Sequence, residues 1–125
     1  MDITPAIPKN RNVINGYGIE GFKINETLYH NSIILTSNQI IEVKINSLAD
    51  FFEQDLKIIF DFQPEILLIG TGNHHKIISS DLKNKIKTYY PEIAIDEMNT
   101  GSACRTYNIL MMEDRNVAVF LMPIL

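Results

Sequence analysis

At 125 residues, 46% of them hydrophobic, the chain has the size of one domain with its own core and is too short for two. A single cysteine, Cys104, excludes an intramolecular disulfide and suits a reducing compartment. The formal charge of −4, from 15 acids and 11 bases spread without blocks, offers no basic face for nucleic acid.

The N-terminal Met1-Asp2-Ile3-Thr4-Pro5-Ala6-Ile7-Pro8 has neither an apolar leader segment nor an Arg-rich one, so neither a secretory signal nor a transit peptide is expected. Its prolines and the polar Lys9 to Asn12 predict an extended arm over residues 1–13, followed by one domain over residues 14–125. Gly16, Gly18 and Gly21 around Tyr17 read as turn glycines at the entrance to the first strand, with a ligand-facing loop as the alternative. Phe22 and Ile24 alternate with Lys23 and Asn25, and Asn25-Glu26-Thr27 turns the chain toward Leu28-Tyr29-His30. Ser32 to Leu35, the turn Thr36-Ser37-Asn38 and Gln39 to Ile45 predict a second hairpin rich in β-branched residues.

The period then changes to that of a helix. Ser47 is the expected N-cap, with Leu48, Phe51, Phe52, Leu56 and Ile59 along one stripe. Ile66 to Ile69 is a continuous apolar run, as in a strand covered on both faces. Ser79 or Ser80 caps the next helix, with Leu82, Ile86 and Tyr89 inward, Lys83, Lys85 and Lys87 on its wet side and Pro91 at its end. Ile93 and Ile95 form a short strand, Ala103, Tyr107, Leu110 and Met111 an inward helical stripe, and Val117 to Met122 a buried strand. The longest apolar run, Val117 to Leu125, is far below the roughly 20 residues of a membrane-spanning helix, so the chain reads as soluble and cytoplasmic. This order, hairpins followed by alternating strands and helices, predicts the α/β class.

Two loops are the candidate sites. Gly70-Thr71-Gly72 follows a buried strand, and Asn99 to Asn108 opens a helix; if their strands are parallel neighbours, both loops lie at the sheet edge where α/β proteins bind ligands. The first loop does not complete the dinucleotide fingerprint, because His75 stands where a small residue is required and the helix begins too late. In the second loop, Thr100 or Ser102 is the expected cap, and the early amides form a candidate anion site. Cys104, beside Arg105 in the first turn, is the one candidate catalytic group: the helix dipole and the guanidinium favour thiolate. The leading reading, however, is a small hydrophobe that fills space beside Ala103, with passive contact to a ligand as a third. Arg105 binds an anion or a partner, or pairs internally with Glu113, Asp96 or Glu97. His74, His75 and Cys104 lack the spacing of a zinc site, so no metal is expected, and no cofactor.

These residues resemble a family signature. Ile69-Gly70-Thr71-Gly72 after an apolar strand is similar to one half of it. Glu97-Met98-Asn99-Thr100, Ala103-Cys104-Arg105-Thr106-Tyr107-Asn108, Leu110 and Glu113-Asp114-Arg115 resemble the other half. The family includes mitochondrial respiratory complex I assembly factor 3 and single-domain bacterial and archaeal proteins. The glycine-flanked Tyr17 and Phe22-Lys23-Ile24-Asn25 fit its N-terminal pattern; the resemblance spans about residues 14 to 124 and is specific from Pro64 onward. It implies a layered α/β domain with a central mixed sheet, helices on its faces and N-terminal β-hairpins. It also implies a non-enzymatic assembly or interaction protein, tied to NADH:ubiquinone oxidoreductase biogenesis and reaching the inner membrane through protein partners. Carried over by position, Gly70, Thr71, Gly72, Thr100, Cys104, Arg105, Thr106, Tyr107 and Asn108 are its ligand- or partner-binding candidates. The alternative is a small enzyme or anion-binding domain using the Gly70/Gly72 loop and the Cys104–Arg105 helix start.

Overall fold

The computed structural model describes residues 2–3, 10–44 and 53–124. The Ser47 cap, Leu48, Phe51 and Phe52 of the expected first helix, Ile45 and most of the N-terminal arm lie outside the described residues. Among the described residues the domain is mixed α/β, with eight strands in two sheets and three helices.

The smaller sheet is antiparallel in the order β1-β2-β3, from Ile14–Gly18, Gly21–Ile24 and Thr27–Tyr29. Asn25 and Glu26 both adopt positive φ, 51° and 71°, the geometry a two-residue hairpin needs to match the strand twist. Residues 14–18 are thus a strand, where the glycine pattern predicts a turn or loop. The glycines disguise it: they weaken β propensity and mark a bulge, seen here as a register shift between Ile14 and Gly16.

The larger sheet has the order β5-β4-β8-β6-β7, from Ile40–Val43, Ser32–Leu35, Val117–Leu121, Ile66–Gly70 and Ala94–Met98. The β4–β5 and β4–β8 pairs are antiparallel, while β6 pairs in parallel with both β7 and β8. Alternate side chains of the central strands feed two cores. Ile33, Leu35, Leu68, Val117, Val119 and Leu121 face α3 (Thr100–Met112) and the small sheet, meeting Ala103, Cys104, Tyr107, Met111, Phe22 and Ile24. On the opposite face Ile34, Leu67, Ile69, Ala118 and Phe120 meet Ile59 of α1 (Glu53–Phe62) and Ile86 of α2 (Ser80–Tyr89). Burial on both faces explains the unbroken apolar runs of β6 and β8. Each fully buried Leu, Ile or Phe stabilises the fold by roughly 1.5–3 kcal/mol.

The α2 cap is Ser79, whose Oγ accepts from Leu82 N at 3.1 Å. Tyr89 does not point inward as the periodicity predicts. It is 58% exposed with its ring 5.6 Å from that of Phe60, and Tyr90 packs against the core instead, because the helix ends there. At the far end of α3, Asp114 takes a positive φ of 61°, Asp114 N donates to Met111 O and Arg115 N to Leu110 O, a Schellman closure of the helix.

Candidate functional site

Because β6 and β7 are parallel neighbours, the Gly70-Thr71-Gly72 loop and the start of α3 do meet at one sheet edge. They meet by binding each other. A Cβ at Gly70 would stand 3.1 Å from Thr100 Cα and 3.2 Å from Ala103 Cβ, so the absent side chain lets α3 close on the strand end. Gly72 N donates to Thr100 Oγ1 at 2.8 Å, Thr100 N donates to Gly72 O at 2.8 Å, and the Thr100 hydroxyl donates to Met122 O at 2.7 Å. Thr71 Oγ1 donates to His74 O at 2.7 Å and accepts from Lys76 N at 3.1 Å, folding the loop onto itself.

The helix cap is Asn99, not Thr100 or Ser102: its side chain accepts from Ser102 N at 2.8 Å. Thr100 is unavailable as a cap because it is fully buried as the bridge between loop and strand end. With Thr100 N and Ser102 N both engaged within the chain, two amides that would serve an anion are already satisfied.

Cys104 is fully buried between the two sheets. Burial pushes its thiol from an ordinary 9.0 up to about 12, with Arg105 opposing the shift less strongly. At neutral pH the group is therefore a packed S–H. Tyr107 is likewise fully buried, its hydroxyl donating to Asn12 O at 2.8 Å, and burial drives its ionisation upward. Asn108 accepts from Ile14 N at 3.0 Å and donates to Ile14 O at 2.8 Å. These two side chains fasten the small sheet to α3.

Arg105 points outward. Its guanidinium donates to the Tyr17 hydroxyl and, at 3.4 Å, to Ser102 Oγ, and lies 5.8 Å from the Tyr17 ring centroid. None of the three expected acids is among these partners; Glu97 instead pairs with Lys83 at 3.1 Å. The Tyr17 ring rests on Gly101, where a Cβ would come within 2.9 Å of it. Gly101, Tyr17 and Asn12 thus belong to the site although the sequence reading does not select them as binding residues. A glycine in the first turn of an otherwise good helix is the signal for Gly101, since it costs about 1 kcal/mol without a packing reason. Thr106 is half-buried on the same helix.

Beside Tyr17, the outer face of the small sheet carries an open depression of about 320 Å³, lined by residues including Asp2, Gly16, Gly18, Lys23 and Leu28. A Cβ at Gly18 would meet open space there, and Ile19 (83% exposed) and Leu28 (44%) also line it. Among the described residues no group of three or more His, Cys, Asp and Glu gathers as a metal site. No helix of the described residues is long and apolar enough to cross a membrane.

The family model for "Protein of unknown function (DUF498/DUF598)" matches residues 14–122. The chain belongs to this family. It is 33% identical over 99 residues to the "13 kDa major membrane protein" of Francisella tularensis subsp. holarctica, covering 78% of this chain and 79% of that one. It is 27% identical over 113 residues to the Danio rerio "NADH dehydrogenase [ubiquinone] 1 alpha subcomplex assembly factor 3"; that match covers 89% of this chain and 64% of the relative. The chain thus spans somewhat under two-thirds of that factor. A solved structure described as an outer membrane protein from Bartonella henselae superposes with a TM-score of 0.78 at 31% identity, covering 93% of this chain and 98% of that one. The resemblance drawn from the sequence to the family of assembly factor 3, and the layered α/β fold it implies, therefore hold.

Proposed function

We propose that this protein is a non-enzymatic assembly or interaction protein that docks protein partners through the face formed by Tyr17, Arg105 and the adjoining depression. The observation that carries the reading is the division of labour within the signature. Gly70, Thr71, Gly72, Thr100, Cys104, Tyr107 and Asn108 spend their polar groups and volume inside the fold, while Arg105 and Tyr17 remain at the surface. A rigid face held by a tightly bonded interior suits recognition better than it suits nucleophilic chemistry, for which Cys104 is neither exposed nor ionised.

The relatives support one class of partner. Similarity to proteins named as NADH dehydrogenase assembly factors supports a role in respiratory complex I biogenesis; the proposed setting is the cytoplasmic face of the inner membrane, reached through protein contacts. A deletion strain tests this: the reading expects slowed assembly and lowered steady-state level of the NADH dehydrogenase complex. Unchanged assembly kinetics would contradict it.

A second reading, capture of an anionic small molecule, is favoured by one observation. Among the described residues the hydrogen-bond partners of the Arg105 guanidinium are the hydroxyls of Tyr17 and Ser102, with no carboxylate between them. A ligand that binds the folded chain raises its melting temperature, so a shift with phosphorylated metabolites that disappears in Arg105→Ala would support this reading.

A further inference from the structure

We propose that Asn15–Gly16 is a conformation-gated deamidation site, which the folded chain protects and an opened chain modifies. Asn15 is the one asparagine of the sequence followed by glycine. With no side chain on Gly16 to obstruct it, the Gly16 nitrogen, once deprotonated by solvent base, attacks Asn15 Cγ. A C–N bond forms, the bond to the amide NH2 breaks, and ammonia leaves with the proton it gains from water. Water then opens the cyclic imide at one of its two carbonyls, giving aspartate or isoaspartate. The only co-reactant is water, and nothing is oxidised or reduced.

The fold restrains each participant. Asn15 is 3% exposed, which keeps water and base away. Its side-chain oxygen accepts from Glu26 N at 2.8 Å, holding the amide toward the hairpin turn, and its carbonyl accepts from Ile3 N at 3.0 Å. Gly16 is paired in register with Lys23, and a bridge joins it to Asp2. Opening of the N-terminal segment and the β1–β2 pair would release all of these restraints together, a sub-global event rather than complete unfolding.

The product would not fit where the asparagine sits. Aspartate places a carboxylate in a nearly buried site, which is costly without a compensating charge. Isoaspartate adds a backbone methylene between Ile14, held by Asn108, and Tyr17, seated on Gly101. Modification would therefore convert a reversible opening into a permanent one.

The test is peptide mass spectrometry of the full chain incubated at mildly alkaline pH with and without urea, following replacement of the Asn15 amide NH2 by OH. Conversion at Asn15 is expected in urea and at least about tenfold slower in buffer, where an opened minority reacts. Equal rates in the two conditions would overturn the gating. Absence of reaction in urea, or faster reaction at another asparagine, would overturn the site. Asn15→Gln provides the control peptide, which should stay unmodified in urea whether or not that variant folds.

Discussion

Asn108 satisfies both backbone groups of Ile14 with one side chain, as a neighbouring strand would, and so bonds the small sheet to helix α3 across 94 residues of sequence. Asn108→Ala should leave a buried N–H and a buried C=O without partners. At about 1–3 kcal/mol for each such group, urea denaturation should register a loss of roughly 2–6 kcal/mol. A loss under about 0.5 kcal/mol, the range of ordinary surface substitutions, would mean that the clamp carries no weight.

Thr100 is the corresponding bolt at the sheet edge. Thr100→Val keeps the shape but removes the acceptor for Gly72 N and the donor to Met122 O. A cost of about 1–3 kcal/mol is expected, with Thr100→Ser recovering most of it through its hydroxyl. If Ser and Val variants were equally destabilised, the hydroxyl would not be the reason for threonine here.

A methyl group at Gly101 should be accepted only if a single neighbour, the half-buried Tyr17 ring, moves aside. In Gly101→Ala the new Cβ meets Tyr17 Cε2 at 2.9 Å and its hydroxyl oxygen at 3.0 Å. Helix propensity alone would make alanine better by about 1 kcal/mol, so the clash has to overcome that gain. In a Tyr17→Ala background the same substitution should turn from unfavourable to favourable. Additive effects in this cycle would show that the two residues are uncoupled.

The Cys104 thiol gives a pH prediction. Its folded value lies near 12 against 9.0 for a free thiol, so the folded state holds the proton more tightly than the unfolded state. Stability then falls as pH rises, because the unfolded chain binds fewer protons there. Cys104's contribution should be fully present below about pH 9 and decline above it, and Cys104→Ala should flatten that part of the profile. The native thiol should also resist alkylation at neutral pH and react only as the chain unfolds. Labelling of the native protein at the rate of a free thiol would contradict the buried, neutral assignment.

Much of this architecture is legible in the sequence because its signals are local. The unbroken apolar runs of β6 and β8, the serine before α2 and the Asn25-Glu26 turn each report a short-range constraint, and the structure has an element at each. β1 is not legible, since Asn15-Gly16 and Gly18 suppress strand propensity and the strand is held by Asn108 and a bulge. The site divides in the same way. That two loops meet at one edge follows from the order of strands and helices. That their hydroxyls and amides bond to each other depends on distances no spacing rule contains. The composition offers Thr100 or Ser102 as the cap; the burial of Thr100 shifts that role to Asn99.

The central claim is that the Tyr17–Arg105 face docks a protein partner, and crosslinked affinity purification from native cells, membranes included, tests it most directly. Tagged wild type and Arg105→Glu would be compared by mass spectrometry. The substitution lies on an exposed side chain, and melting curves of the two chains establish that both enter the experiment folded. Enrichment of NADH dehydrogenase subunits or their assembly proteins by wild type, lost in Arg105→Glu, is the predicted result. Recovery of the wild-type protein alone, or equal recovery of those partners by both chains, would contradict it.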